Sequence, residues 1–350
     1  MRLPDHLRKP CAQRTSAGAI IALYLALLAW SVAAKHSYRV IPVQPVIGIL
    51  LKIISALAFT LMAATIKFVS DSYPVGQLIF FRSAFALIPL LIWLAWSDVL
   101  VNAVRTKSLK GHLLRSIIGV TGMFFGFAAL GYLPLSDAVA IGYAAPLIVV
   151  VMAAFVLKET VRAYRWSAVG IGFLGVILML TPQFGVVDAT IANENRALGA
   201  TFAIFAALCT AGATIQVRRL TATERTGAIV FYFSLFSTVI GLATIVLGWT
   251  MPSLTDFGIL VVIGILGGIG QILLTQSYRF GDASLIAPFE YTTMIWALLL
   301  GWFVFGDWPQ AIVLAGAAIV IAAGIFVIWR EHRLGLARRK EAEMASKRAI

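Results

Sequence analysis

The sequence predicts an all-α polytopic membrane protein whose ten transmembrane helices form two inverted five-helix repeats. Three observations predict it. Of the 350 residues, 61% are hydrophobic and 12% charged. That is about half the charge of an ordinary soluble domain, and more apolar side chain than one water-soluble core of this length can enclose. The apolar residues also gather into runs close to the roughly 20 residues of a spanning helix. Finally, lysine and arginine collect in alternate loops, as they do on the cytoplasmic side of membrane proteins.

The runs cover residues 48–69, 75–96, 113–132, 136–157, 165–182, 197–216, 227–249, 257–277, 284–305 and 309–329. A membrane barrel needs alternating strands of about ten residues, and these stretches are too long and too evenly apolar for that. Breakers separate them: Ser72-Tyr73-Pro74, Leu133-Pro134, Lys158-Glu159, Thr181-Pro182, Met251-Pro252 and Gly306-Asp307. Proline ends a helix because it offers no N–H.

With the start of the first run in the cytoplasm, the inward loops hold Arg105, Lys107, Lys110 and Arg115, then Lys158, Arg162 and Arg165, then Arg218, Arg219 and Arg225, and Arg279. The basic tail 330–350 is inward as well. The outward side holds Lys67 and Arg196 among the acids Asp71, Asp137, Asp188, Glu194, Asp256 and Asp307. The net charge of +13 is therefore topological, with attraction to anionic lipid added, and requires no nucleic acid. Both ends of the ten-helix core are placed in the cytoplasm, and the membrane is read as the cell's inner membrane.

Residues 1–45 stand apart as an N-terminal extension. Thr15–Ala34 is apolar and follows Arg2, Arg8, Lys9 and Arg14, as a signal peptide would. Cleavage or an eleventh span would oppose the charge pattern, so two readings remain: a start assigned too early, which is preferred, or an interfacial helix.

The chain repeats. Tyr132 to Ala138, an apolar run and Lys158-Glu159 correspond to Tyr278 to Ala283, a similar run and Gly306-Asp307. This gives repeats at 46–182 and 197–329. Five spans per repeat is odd, so the second half enters the membrane from the opposite face, an arrangement suited to alternating access around a midplane site.

The segments Gly48 to Lys52, Ala64 to Ser70 with Lys67, Pro74 to Arg82, Tyr132 to Ala138 through Glu159, and Ala287 to Tyr291 through Gly301-Trp302 resemble the EamA-type branch of the drug/metabolite transporter superfamily over about residues 46–330. The resemblance implies ten helices, cytoplasmic termini and a central cavity. It also implies solutes such as amino acids, riboflavin, S-adenosylmethionine, nucleotide-like molecules or drugs.

Polar residues at membrane depth are costly and mark function. Arg82 lies ~10 Å into the second span. It either meets a solute or snorkels outward to pin the outer loops through Asp137 or Asp71. Glu290 lies ~9 Å into the ninth span, two residues after the helix-weakening Pro288. It either binds a cation or proton, or rests at the interface on Arg279 or Arg219. Gln271 is the deepest of the neutral amides. Tyr143, Tyr291 and Trp296 could wall a ring-bearing solute or simply pack. Lys52 and Lys67 are expected to snorkel at the ends of the first span. The four histidines fall outside the apolar runs or at their edges, Cys11 and Cys209 form no framework, and no metal-ligand spacing or cofactor site is found. Gly170, Gly172 and Gly175 spell G-x-G-x-x-G, but inside an apolar helix, where small residues serve helix packing.

The expected function is secondary transport of a small metabolite by alternating access, with proton coupling through Glu290 as one option. Drug or metabolite efflux is the alternative, and a lipid-modifying membrane enzyme the alternative of another class. The expected partners are the solute and the bilayer, with a homodimer left open.

Overall fold

The computed structural model describes residues 45–96, 105–156, 163–184, 194–221, 223–280 and 287–348. The two readings of the N-terminal extension concern residues outside these. The regular structure among the described residues is helical: α1 (Pro45–Val69), α2 (Val75–Trp96), α3 (Leu109–Tyr132), α4 (Leu135–Gly142), α5 (Ala144–Val156), α6 (Ala163–Leu180), α7 (Glu194–Thr221), α8 (Thr226–Ala243), α9 (Leu254–Phe280), α10 (Thr292–Leu300) and α11 (Ala311–Arg348). Eight stretches among them are long and apolar enough to cross a membrane, α4 and α5 counting together, and 289–305 and 311–327 are shorter apolar helices. In the eight, only 33–56% of each span's most apolar stretch is buried within the protein. Side chains such as Leu174, Ile177, Phe155 and Phe303 point outward. Exposed apolar surface on this scale is at home only in lipid.

Two spans are broken, and proline chemistry accounts for both. Pro146 has no N–H to give the carbonyl of Gly142. The helix tightens there, Tyr143 N–H bonding the Ala140 carbonyl at 3.1 Å, and α4 gives way to α5. The sequence showed no break at this point; Gly142 and Pro146, four apart, were its signal. The ninth run, in its described part from 287, is likewise not one α-helix. Ala287–Tyr291 is a 3₁₀ turn carrying Pro288, followed by α10 and a π-helical turn, Gly301–Phe305. Gly306 closes it in the left-handed region at φ 69°, which a residue without Cβ adopts freely. The tenth run differs in the other direction. It continues past 329 to Arg348 because the tail is rich in the strong helix formers Ala, Glu, Lys, Arg and Met.

The principal packings join α3 to α7, α1 to α9, α6 to α11, α2 to α9 and to α8, α5 to α7, α3 to α8, α4 to α7, α1 to α10, and α4 to α10. Small residues set several of them. A Cβ on Gly264 would lie 2.3 Å from Phe85 Cβ, and one on Gly268 2.8 Å from the Ala86 carbonyl, so α9 lies directly on α2. Gly172 and Gly175 do the packing expected of them, against Leu147 and Gly316. One apolar core gathers residues of α1, α2, α3 and α9, another residues of α4 to α7, α10 and α11.

Candidate functional site

The two breaks meet. Tyr143, at the α4–α5 break, and Tyr291, at the start of α10, stand edge to face with ring centres 5.3 Å apart. The Tyr143 hydroxyl is 2.6 Å from Thr293 Oγ1 and 3.4 Å from the Tyr291 carbonyl. The Tyr291 hydroxyl lies over Gly324 of α11, in the space a Cβ would fill. Beside this pair, Lys52 of α1 donates to Glu290 in a salt bridge. Its side chain is 2% exposed and that of Glu290 46%. Glu290, Tyr143 and Tyr291 are thus brought together. Trp296, one turn after Thr293, completes the same stretch of α10, its indole N–H buried without an acceptor.

This corrects two expectations. Lys52 does not snorkel, since a carboxylate within reach makes the buried position tenable. The ionic partner of Glu290 is Lys52, not Arg219. Lys67 also does more than sit at an interface: it donates to the Leu133 carbonyl at 2.7 Å and the Leu130 carbonyl at 3.4 Å, capping the end of α3 as cations do at helix C-termini.

Arg82 is turned inward, not outward, and Asp137 instead accepts from Gln183 at 2.8 Å. Arg82 is 5% exposed, and its guanidinium carbon is 5.5 Å from the centre of the Phe233 ring on α8. Arg115, counted in the sequence among loop charges, lies on the same ring at 3.7 Å. Helix α3 begins at Leu109, four residues before the apolar run, so Arg115 lies nearly two turns inside the helix rather than at its edge. The early start also buries His112, at 1% exposure, inside a span expected to hold no histidine. Gln271 joins neither group: it lies on α9 next to Gly270, whose carbonyl accepts from Ser55 at 2.8 Å.

A clamp closes one end of the bundle. Glu224, in the α7–α8 loop, accepts from the backbone N–H of Lys107 at 2.7 Å and of Ser108 at 2.8 Å and from Thr106 Oγ1 at 3.0 Å. Its other oxygen is 3.7 Å from His112 Nε2. Desolvation opposes ionisation of Glu224, but these hydrogen bonds and the His112 charge outweigh it and hold the carboxyl below its ordinary range. A carboxyl lowered on folding stabilises above its unfolded pKa and ceases to as pH falls through its folded value. Glu224→Gln should therefore melt a few degrees below the parent at pH 7, and melting curves of the two should converge toward pH 3. A constant gap across that range would show that the charge of Glu224 is not what matters.

Residues 46–181 and 197–330 each match the EamA-like transporter family. The pseudopaline exporter CntI of Pseudomonas aeruginosa is 27% identical over 79% of this chain and 94% of its own length. The S-adenosylmethionine uptake transporter of Rickettsia bellii is 25% identical over 81% and 93%. The riboflavin transporter of Vibrio cholerae is 26% identical over 81% and 93%. A solved crystal structure superposes with a TM-score of 0.59 at 19% identity, covering 81% of this chain and 98% of that one, a likeness of fold.

Proposed function

The chain belongs to the EamA-like transporter family and is a multi-pass membrane transporter of small metabolites rather than an enzyme; on that premise we propose that it works by alternating access between two inverted repeats, 46–182 and 197–329. Ten spans follow if α4 with α5, and the 3₁₀ turn with α10, each cross once. The packing pattern supports this. Exchanging every span for the one five along carries α1–α9 onto α7–α3, α2–α9 onto α8–α3, and α1–α10 onto α7–α4. The pairs α2–α8, α6–α11 and α4–α10 map onto themselves. Arg82 and Phe233 hold the same position, the eighth, in α2 and α8.

The observation that carries the reading is the contact of two broken spans, Tyr143 against Tyr291, beside an ion pair joining the two halves. Broken helices at the repeat interface are where transporters of this architecture hold their solutes. Two tyrosines and Trp296 suit a solute with a ring, in the range of vitamins, amino acids or nucleoside-like molecules that includes riboflavin and S-adenosylmethionine. The half-exposed Glu290 is the group to exchange Lys52 for a proton or the solute as the halves rock. Both ends of the core face the cytoplasm of a cell with this protein in its inner membrane, and the basic inward loops support that orientation. Either direction fits this architecture; one relative is named as an exporter and another as an uptake transporter.

The test is flux in proteoliposomes. Saturable, gradient-dependent uptake of riboflavin, S-adenosylmethionine or another member of a metabolite panel is the expected result. Linear flux without saturation for every solute would remove the carrier reading.

A further inference from the structure

We propose that Arg82 and Arg115 together bind an anionic group, a carboxylate or phosphate, of the transported solute. The proposal rests on the transport reading, to which it adds the solute's charge.

Two guanidiniums sit on one phenylalanine. Their carbons are 5.5 and 3.7 Å from the centre of the Phe233 ring, at the packing of α2, α3 and α8. Measured along the helices, Arg82 enters ~10 Å from one face of the membrane and Arg115 ~9 Å from the other. Their side chains reach toward each other across the middle of a ~30 Å core. Among the described residues, no carboxylate forms a salt bridge with either. Arg82 Nε and Arg115 Nε and Nη1 are buried with no hydrogen-bond partner. The hydroxyls of Ser116, next to Arg115, and Ser237, one turn after Phe233, are buried and unpartnered too.

The ring attracts each cation, but a cation–π contact offsets only part of the cost of desolvating it. A buried charge without a counter-charge is strongly destabilising, and two of like sign are more so. The chain has made room for both. A Cβ on Gly119 would lie 2.3 Å from Arg115 Nη1, and one on Gly267 3.2 Å from Arg82 Nε. Lys52, by contrast, already faces Glu290, so that pair adds no net charge. The bundle interior is therefore positive here, and its donors are forks that fit the oxygens of a carboxylate or phosphate in pairs. An anion between them would satisfy the orphaned N–H groups and remove the repulsion at once.

The experiment has two arms. In the first, the full chain, delipidated in a neutral detergent so that no lipid phosphate remains, is melted by the fluorescence of its nine tryptophans. The probes are succinate and inorganic phosphate, at constant ionic strength, against succinamide and putrescine. Succinate or phosphate should raise Tm saturably and the neutral and cationic probes should not. Arg82→Gln and Arg115→Gln should shift the half-effect concentration tenfold or more. Arg82→Lys and Arg115→Lys keep the charge and serve where the glutamine variants fold poorly; they should give an intermediate shift because the fork is lost. No anion response, or one unchanged in all four variants, overturns the proposal. In the second arm, saturable flux of a solute without any anionic group, undiminished in these variants, overturns the anion assignment and leaves transport intact. If no solute shows saturable flux, the transport reading fails, and an anion response in the first arm that the variants lose still supports the pair.

Discussion

Glu290→Gln is expected to abolish coupled transport while the chain still reaches the membrane, and adding Lys52→Met is expected to restore folding without restoring transport. The two side chains differ in their surroundings: Lys52 is 2% exposed and Glu290 46%. Removing the carboxylate leaves an ammonium that faced it in a nearly closed site. For a fully buried pair such a loss costs about 3–5 kcal/mol, and the solvent access of Glu290 places this pair at the low end of that range. Lys52→Met alone leaves a carboxylate that can reach water, so it should be the milder of the two single changes in stability. The double variant removes both charges and should melt above Glu290→Gln. Transport should behave differently, since under the proposed alternating access the acid must change partners as the interface opens and closes. The double variant should stay inactive although well folded. Melting temperature in detergent and pH-dependent flux in proteoliposomes, measured on the same four proteins, separate the two effects. Normal pH-dependent flux in Glu290→Gln would remove the carboxylate from the mechanism.

The membrane character and the positions of the apolar segments were legible because they depend on composition and length, which a sequence states directly. The glycines of α9 were legible as packing residues for the same reason. Glu290 could be singled out as costly and near Pro288, and Tyr143 and Tyr291 as aromatic candidates, but their meeting could not be read. It depends on where α1, α4 and α10 cross, and no local pattern encodes that. Arg115 was missed because it lies only two residues inside the run 113–132, close enough to its end to be counted with the charges of the preceding loop. Three polar residues, Lys110, His112 and Arg115, in the first two turns of α3 masked its true start. Lys52 was misjudged because a lysine near the end of a span usually has water within reach of its stem; here a carboxylate 238 residues away offers the closer partner. The break at Tyr143 was not read, because the run 136–157 was taken as one apolar helix, although Gly142 and Pro146 carried its signal.

Gly316→Leu is expected to cause a large loss of stability, larger than any substitution on a lipid-facing surface. At the crossing of α6 and α11 two glycines face one another. A Cβ on Gly316 would lie 2.6 Å from the Gly175 carbonyl oxygen and 3.0 Å from the Met179 backbone nitrogen, and one on Gly175 would lie 2.7 Å from the Gly316 carbonyl oxygen. The obstacles are backbone atoms, which cannot turn aside as a flexible side chain can, so the helices must separate. Overpacking of this kind costs about 1–3 kcal/mol where side chains can adjust, and more is expected where they cannot. Gly316→Ala should already lower Tm. Gly170→Leu provides the control, because a Cβ there meets nothing within 4 Å and the same leucine lies in lipid on the same helix as Gly175. The effect should also reach the proposed solute site. Tyr291 lies over Gly324, two turns along α11 from Gly316, so moving α11 outward removes the surface that holds the tyrosine against Tyr143. Solute affinity should therefore fall in Gly316→Ala even where enough protein folds to be assayed. Equal Tm and equal half-saturation in Gly316→Ala, Gly170→Leu and the parent would show that α11 is not held this closely to α6.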